Sequence, residues 1–254
     1  MHFIEDFSDQ RNKANCIHCD RSLTVAETNK DHVPTKSLLS KRTRKRGIAY
    51  DRGEGEITGY LPQVVVCKRC NSSFSKDETY LLCVLHAVTA GSLYPDPQIH
   101  PKAATVLRSN RNIVRSLKNC FDSQMDLFPD LLPFTLYPDP RKIRNVIIKN
   151  ARGHIYHELG EPAFGDPDYS LFQPLSKMSK VALQEFEQRG ARGLEVWPEV
   201  GSRMMLRVSS GLGFAGGWIE VEKDRYRYLV DWSNGLSVRT IIWEYLATET
   251  HWPA

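Results

Sequence analysis

Three short motifs in the first third of the chain hold most of the side chains that could do metal or acid–base chemistry. They are Cys16-Ile17-His18-Cys19, Asp31-His32-Val33-Pro34 and Cys67-Lys68-Arg69-Cys70-Asn71. Two residues between paired cysteines allow both sulfurs to face one centre, so two such pairs can surround one Zn²⁺ with four thiolates. The sequence therefore predicts a closed, structural zinc site at Cys16, Cys19, Cys67 and Cys70.

The other polar residues of these motifs are of a different kind. Asp31 and His32 lie between the two cysteine pairs, and Asn71 directly follows the second pair. Zinc binding would draw a carboxylate, an imidazole and a carboxamide towards each other, and these are the components of a hydrolytic metal centre.

The order of these motifs resembles the zinc-bound HNH endonucleases, whose ββα-metal core carries two cysteine pairs, an Asp-His and an Asn that leads into a helix. The resemblance covers about the first third of the chain, and residues 71–81 are similar to a bacterial subgroup. It implies a nuclease, with DNA the preferred substrate and a role in bacterial defence or restriction. It also implies that His32 is the general base and that Asp31 and Asn71 are ligands of a catalytic Mg²⁺ or Mn²⁺.

Two positions depart from the family pattern. Many members have an Asn, where this chain has Pro62, that braces the loop carrying the histidine, so bracing must come from elsewhere. Many also have a Lys three or four residues after the post-cysteine Asn, whereas here Lys76 and Asp77 come slightly later. Lys76 is the candidate phosphate contact, and Asp77 a further polar or metal-site group.

Two further functions stay open, one in place of nuclease activity and one alongside it. A zinc-stapled nucleic-acid-binding module without catalysis would keep the cysteines and the basic surface, but it would not need Asp31, His32 and Asn71 together. An adaptor whose C-terminal domain binds an activating protein partner is compatible with nuclease activity.

Basic residues are concentrated in two places, although the net charge is only +4. The run at residues 41–46 is either a solvated or localisation-like loop or a phosphate contact, since adjacent like charges repel without an anion. The second group recurs at steps of three and four along a predicted helix, where a solvated face is the alternative to phosphate binding. The candidate nucleic-acid contacts are Lys41, Arg42, Arg44, Lys45, Arg46, Lys76, Arg108, Arg111, Arg115 and Lys118.

Length and pattern favour an α+β fold with two domains. The chain has 254 residues, and its proline-rich segment at 95–101 suggests a nuclease domain at 1–92 and an accessory domain at 93–254. No apolar run has the length of a bilayer span, the N-terminus lacks a signal-peptide pattern, and the few, clustered cysteines do not suit a disulfide scaffold. We therefore expect a cytoplasmic protein without membrane contact.

Periodicity and capping residues give the expected elements. A strand should end near Asp31, a second strand should cover Gln63–Val66, and a helix should start at the capping box Ser75-Lys76-Asp77-Glu78 and end before Gly91. His86 on this helix, and His154 and His157 near the end of a later helix, are interpreted as structural. The remaining predictions are helices at 102–119, from Pro140 to about Gly160 and at 175–189, followed by antiparallel strands at 194–197, 203–208, 217–221, 226–231 and 236–242.

Overall fold

The computed structural model describes residues 14–51, 56–58, 60–118, 138–189, 197–211 and 214–253. Within these residues the fold is α+β, as predicted, with seven α-helices and ten strands. In chain order the elements are β1 (Thr28–His32), α1 (Lys41–Arg46), β2 (Ala49–Asp51), β3 (Glu56–Thr58), β4 (Gln63–Cys67), α2 (Lys68–Ala90), α3 (Pro101–Ser109), α4 (Arg111–Lys118), α5 (Pro140–Leu159), β5 (Tyr169–Pro174), α6 (Lys180–Gln188), α7 (Arg203–Ser210), β6 (Phe214–Ala215), β7 (Trp218–Glu222), β8 (Tyr226–Asp231), β9 (Leu236–Ile242) and β10 (Leu246–Trp252).

The cysteine motifs lie at one end of a small antiparallel sheet. Strands β1 and β4 pair with Thr28 opposite Cys67 and His32 opposite Gln63, and α2 begins directly after β4. The predicted helix start at Ser75 is wrong by seven residues, because Cys67 Sγ accepts the N–H of Cys70 at 3.3 Å and so satisfies a donor of the first turn. A sulfur atom therefore does the capping that the sequence pattern assigned to Ser75.

A larger antiparallel sheet forms the C-terminal part of the chain, with strand order β5-β10-β9-β8-β7-β6. The predicted strands at 217–221, 226–231 and 236–242 are confirmed as β7, β8 and β9. The predicted strand at 203–208 is wrong, since these residues form α7: Ser202 Oγ accepts the N–H of Met205 at 3.1 Å, and Met204 and Arg207 share a buried face. The predicted strand at 194–197 lies largely outside the described residues.

The helix predictions hold in part. Helix α5 begins at Pro140 as predicted, and its apolar face is buried. The single helix expected at 102–119 is two helices, because Asn110 Oδ1 accepts the N–H of Ile113 at 3.2 Å and starts a new helix there. Among the described helices, none has both the length and the apolar character that crossing a bilayer requires.

The chain divides into two compact units. One contains Met1–Ser72 and Ile147–Ala254, and the other contains Ser73–Val146. This division differs from the predicted domains 1–92 and 93–254, which stay a prediction. The candidate metal centre belongs to the first unit.

The hairpin core of the first unit packs against the second half of α5. Cys16, Ile17, Val33 and the inward residues of β4 form one buried cluster, and Tyr156 of α5 packs on it. Gly153 permits this approach, because a Cβ at that position would lie 2.6 Å from Val33 Cγ2. The glycine is thus needed for packing, even though it lies inside a helix.

We predict that Gly153→Ala lowers the free energy of unfolding by about 1–3 kcal/mol, the usual effect of overpacking a core. In an open helix the same change would stabilise the protein by roughly 0.5–1 kcal/mol, so the sign of the effect is diagnostic. Urea unfolding of Gly153→Ala, Val33→Ala and the double variant gives the coupling between the two positions. Additive effects, or a stabilised Gly153→Ala protein, would contradict the close contact.

Candidate metal centre and its surroundings

Four cysteine sulfurs converge at the junction of the β1–β4 hairpin and α2. The Sγ atoms of Cys16, Cys19, Cys67 and Cys70 all lie within 4.8 Å of one another, and those of Cys19 and Cys67 are 3.8 Å apart. Tetrahedral zinc with Zn–S bonds of about 2.3 Å needs sulfurs roughly 3.8 Å apart. The four cysteines could therefore form a zinc site, as their spacing predicted.

Backbone geometry presets this arrangement. The first pair lies on a turn in which Cys16 O accepts the N–H groups of Cys19 and Asp20 at 3.3 and 2.8 Å. Cys16 Sγ accepts the N–H of Cys67 at 3.4 Å, which links the two pairs. Burial raises the pKa of the Cys16 thiol and of the Cys70 thiol, so a cation is needed to keep all four sulfurs ionised together.

Arg152 of α5 holds the first cysteine turn against the helix. Its Nη1 donates to His18 O at 2.9 Å, and its Nη2 donates to Gly165 O. Burial lowers the pKa of this guanidinium, although Asp166 and then the nearby Cys70 and Cys16 act in the opposite direction. A zinc bound by four thiolates carries two net negative charges, and Arg152 offsets part of them. The sequence pattern gave no indication of this role for Arg152.

Asp31 points into the protein. It is only 6% exposed, and its Oδ1 lies 2.9 Å from Lys149 Nζ while its Oδ2 lies 3.7 Å from His18 Nε2. Burial acts to raise the pKa of Asp31, but His18 and Lys149 outweigh it and the pKa falls below its ordinary value. The carboxylate is therefore ionised and paired in this structure.

Lys149 and Asn150 complete a buried polar network around the end of β1. Lys149 Nζ donates to Thr35 Oγ1 at 3.0 Å, and Asn150 Oδ1 accepts the N–H and the hydroxyl of Thr35, each at 3.0 Å. These roles were not among the sequence predictions. The available signal was a Lys-Asn pair next to the apolar residues Ile147 and Ile148 in a helix, because such residues are buried only when they are paired.

The predicted role of Asp31 as a Mg²⁺ or Mn²⁺ ligand stays a prediction, and the network sets a condition on it. A divalent ion at this carboxylate has to compete with an ammonium 2.9 Å away. Displacing that ammonium without a new partner would leave a buried charge unpaired.

His32 is adjacent to Asp31 but faces the other side of the strand, where it is partly exposed. Its Nε2 lies 2.8 Å from Nε2 of Gln63, its partner across the sheet. With the carboxamide nitrogen as donor, the imidazole accepts at Nε2. One residue on, Val33 N donates to Pro62 O at 2.9 Å. Gln63 and Pro62 thus brace the strand that carries His32.

Asn71 lies in the first turn of α2, directly after Cys70, and is partly buried. The remaining candidates on α2, α3 and α4 belong to the unit Ser73–Val146. There Lys76, Arg108, Arg111 and Arg115 are exposed, and Asp77 Oδ2 accepts from Asn145 Nδ2 at 2.9 Å. The side chain of Lys118 lies outside the described residues. That these cations bind the same nucleic acid on which His32 acts stays a prediction.

The basic run at 41–46 is a short helix, α1, and not the loop that was one of the expectations. Four of its side chains, Lys41, Arg42, Lys45 and Arg46, line an open cavity of about 580 Å³. Arg44 points elsewhere, since it is half-buried and its Nε donates to Ser40 O at 3.3 Å. A cavity lined by four cations is suited to a phosphate or another anion.

His154 is a packed core residue, in agreement with the structural interpretation. Its Nε2 lies 2.9 Å from Tyr226 Oη, and its ring stacks on Tyr228 at a centroid distance of 3.7 Å. Burial lowers the pKa of His154 to about 3. One turn later, Glu158 accepts from Arg207 Nε at 2.7 Å and from Tyr228 Oη at 2.6 Å. Despite burial, Arg207 and His157 lower the pKa of Glu158 to about 2.

Comparisons of the chain with protein-family models, with curated proteins and with solved structures give no match. The family resemblance carried by the three motifs stays an inference from the sequence.

We predict one tightly bound zinc per chain, because zinc held by four thiolates contributes folding free energy on the order of 10 kcal/mol in small zinc domains. Cys16→Ser or Cys67→Ser should lose the metal and unfold the hairpin. Cys83→Ala is the control, since Cys83 is buried outside the cluster. Elemental analysis and thermal unfolding measure both effects. Zinc-free wild-type protein that unfolds cooperatively would contradict the prediction.

We also predict that His154 makes the protein sensitive to mild acid. Its pKa of about 3 in the folded state lies below the ordinary value near 6.5, so the unfolded chain binds the proton first and stability falls as pH decreases below 6.5. Between pH 7 and pH 5 the protonation of this group should lower the free energy of unfolding by about 2 kcal/mol. This pH interval lies above the one in which Glu158 titrates.

The measurement is urea unfolding of wild type and His154→Gln at both pH values. Comparing the two proteins cancels the acid dependence of the cysteine site, which they share. An equal loss of stability in both would show that His154 is not the acid-sensitive group.

Proposed function

We propose that the chain is a metal-dependent HNH-type endonuclease that hydrolyses nucleic-acid phosphodiester bonds, with DNA the preferred substrate. The observation that carries the proposal is the order β1, β4, α2 with four converging cysteines at the junction, His32 on the outer face of β1, and Asn71 in the first turn of the helix. The resemblance implied this arrangement of hairpin, helix and zinc ligands. A place in bacterial defence or restriction belongs to the same proposal.

His32 is the proposed general base. Imidazole is the side chain whose ordinary pKa lies near neutrality, which suits removal of a proton from water. In this structure its Nε2 faces the carboxamide of Gln63. A substrate-bound water has to replace that carboxamide, or use the other ring nitrogen, before His32 can act.

Asp31 and Asn71 are the proposed oxygen ligands of a Mg²⁺ or Mn²⁺ ion, which would neutralise charge on the phosphate and the leaving oxygen. Lys149 keeps Asp31 ionised by pairing with it at 2.9 Å. Zinc at the four cysteines has a structural task only, because all its ligand positions are filled by protein. It fixes the strand that carries His32 relative to the helix that carries Asn71.

The cations of α1 supply the proposed contact to the substrate backbone. Lys41, Arg42, Lys45 and Arg46 line one cavity, and neutralising phosphates with such side chains releases condensed counterions. Arg44 makes a weaker candidate than its neighbours because it is half-buried. The exposed cations of α2, α3 and α4 extend the same proposal to the second unit.

One observation favours the second candidate, a zinc-stapled nucleic-acid-binding module without catalysis. The carboxylate of Asp31 is already paired with Lys149 and lies beside His18. If this pair is permanent, Asp31 cannot serve a catalytic metal, and the function of the hairpin is to support binding through α1.

We predict that His32→Ala keeps zinc, fold and nucleic-acid affinity while cleavage falls by roughly 10²- to 10⁴-fold, the usual contribution of a positioned base. Supercoiled plasmid, single-stranded DNA and RNA are each incubated with Mg²⁺, Mn²⁺ or EDTA. His100→Ala serves as the matched control, because His100 is a partly buried histidine of the other unit.

Two further variants distinguish the proposed metal ligands from the proposed base. Asp31→Ala and Asn71→Ala should raise the Mg²⁺ concentration needed for cleavage, because each removes an oxygen ligand and leaves the base in place. An active His32→Ala protein would refute the proposed base. A wild type that binds nucleic acid but is inert with every substrate and metal would favour the binding module.

A further inference from the structure

The segment just before α1 is held by side chains from the distant C-terminal sheet. Leu38 O accepts from Trp243 Nε1 at 2.7 Å and from Arg225 Nε at 3.1 Å. Ser40 N donates to Glu222 Oε2 at 2.9 Å. The holding residues lie at the turn between β7 and β8 and in the turn between β9 and β10, more than 180 positions away in the sequence.

The two turns are joined to each other and form one support. The Arg225 guanidinium lies over the Trp243 ring, 4.4 Å from its centroid, and Trp243 N donates to Arg225 O at 2.7 Å. Leu38 and Leu39 are fully buried beside this support, at 0% and 1% exposure. The chain entering α1 therefore has its backbone and its side chains fixed.

Helix α1 needs such support for a physical reason. It has six residues, five of them cationic, and isolated helices this short do not form in water. Lys41 and Lys45 are four positions apart, as are Arg42 and Arg46, and like charges at this spacing destabilise a helix. Its N-cap is Ser40, whose Oγ accepts the N–H of Thr43 at 3.2 Å. The residue that Glu222 holds is thus the one that starts the helix.

We propose that Glu222, Arg225 and Trp243 are positioning residues for the cationic cavity of α1, and that the C-terminal sheet supports a phosphate-binding site. The sheet then contributes to substrate binding within its own chain, beyond the predicted role as a platform for an activating partner. The phosphate-binding part rests on the proposed function, whereas the support of α1 rests on the hydrogen bonds and burial alone.

The test compares Glu222→Ala, Glu222→Gln and the control Glu220→Ala, an exposed glutamate on the same strand. The first readout is limited trypsin digestion, with cuts within residues 41–46 located by mass spectrometry. Glu222→Ala should be cut at least about fivefold faster there, because the hydrogen bond that holds Ser40 no longer forms and the segment opens more often. Glu222→Gln keeps an oxygen acceptor for Ser40 N–H and should behave as wild type, as should Glu220→Ala.

The second readout is binding of a labelled DNA duplex across a salt series. A loss of positioning and a simple change of charge predict opposite changes in DNA affinity, so this readout distinguishes them. Removing an acid beside a basic helix would tighten binding by charge alone. A mispositioned α1 should instead weaken binding of Glu222→Ala severalfold and lower the salt slope by about 0.9 for each phosphate that the helix no longer neutralises.

Each result decides one part. An unchanged trypsin rate at residues 41–46 in Glu222→Ala, or in Trp243→Phe, which removes the indole N–H, overturns the support of α1. Faster trypsin cutting with tighter DNA binding overturns the link to the phosphate site. A wild type that binds no nucleic acid overturns the phosphate-binding function. The trypsin result still tests whether the three residues support α1.

Discussion

Four cysteine sulfurs lie within 4.8 Å of one another at the end of the hairpin. As thiolates they would need a cation to offset their mutual repulsion, and this constraint bears on the whole hairpin. The strand β4 and the helix α2 meet at Cys67, so the cysteine site fixes where one ends and the other begins. Since Thr28 pairs with Cys67, the same site fixes the register of β1 and with it the face on which Asp31 lies. A metal bound by these cysteines would thus determine the placement of residues several positions away.

Helix α5 carries the second constraint, because it contacts three separate parts of the first unit. Arg152 bonds the first cysteine turn, Lys149 bonds Asp31, and Glu158 bonds Arg207 of α7. Gly153 lets the helix approach Val33 closely enough for these contacts to form. Buried charges are tolerated here because each has a partner of opposite sign or a hydrogen bond.

Sequence reasoning succeeded where the determinants are local. The cysteine pairs, the N-terminal proline of α5 and the strands β7, β8 and β9 with the turn residues between them are set by a few neighbouring residues, and the structure confirms them. It failed where a local cap was overlooked, at Cys67, Asn110 and Ser202, and where distant residues decide. Residues 203–208 have the pattern of a strand until Arg207 is paired with Glu158, and the like charges of 41–46 argue against a helix until Glu222 binds Ser40. The burial of Asp31 likewise depends on Lys149, which lies 118 positions later in the sequence.

Asp31 and His32 are neighbours on β1, but their side chains lie in different surroundings. Successive strand residues point to opposite faces, so the carboxylate enters the network around Lys149 while the imidazole meets Gln63 at the surface. A slip of one residue would bury His32 and expose Asp31. The register resists that slip at both ends, through Cys67 in the sulfur cluster and through the bond from Val33 N to Pro62 O. Any chemistry at His32 therefore depends on contacts that do not involve the imidazole itself.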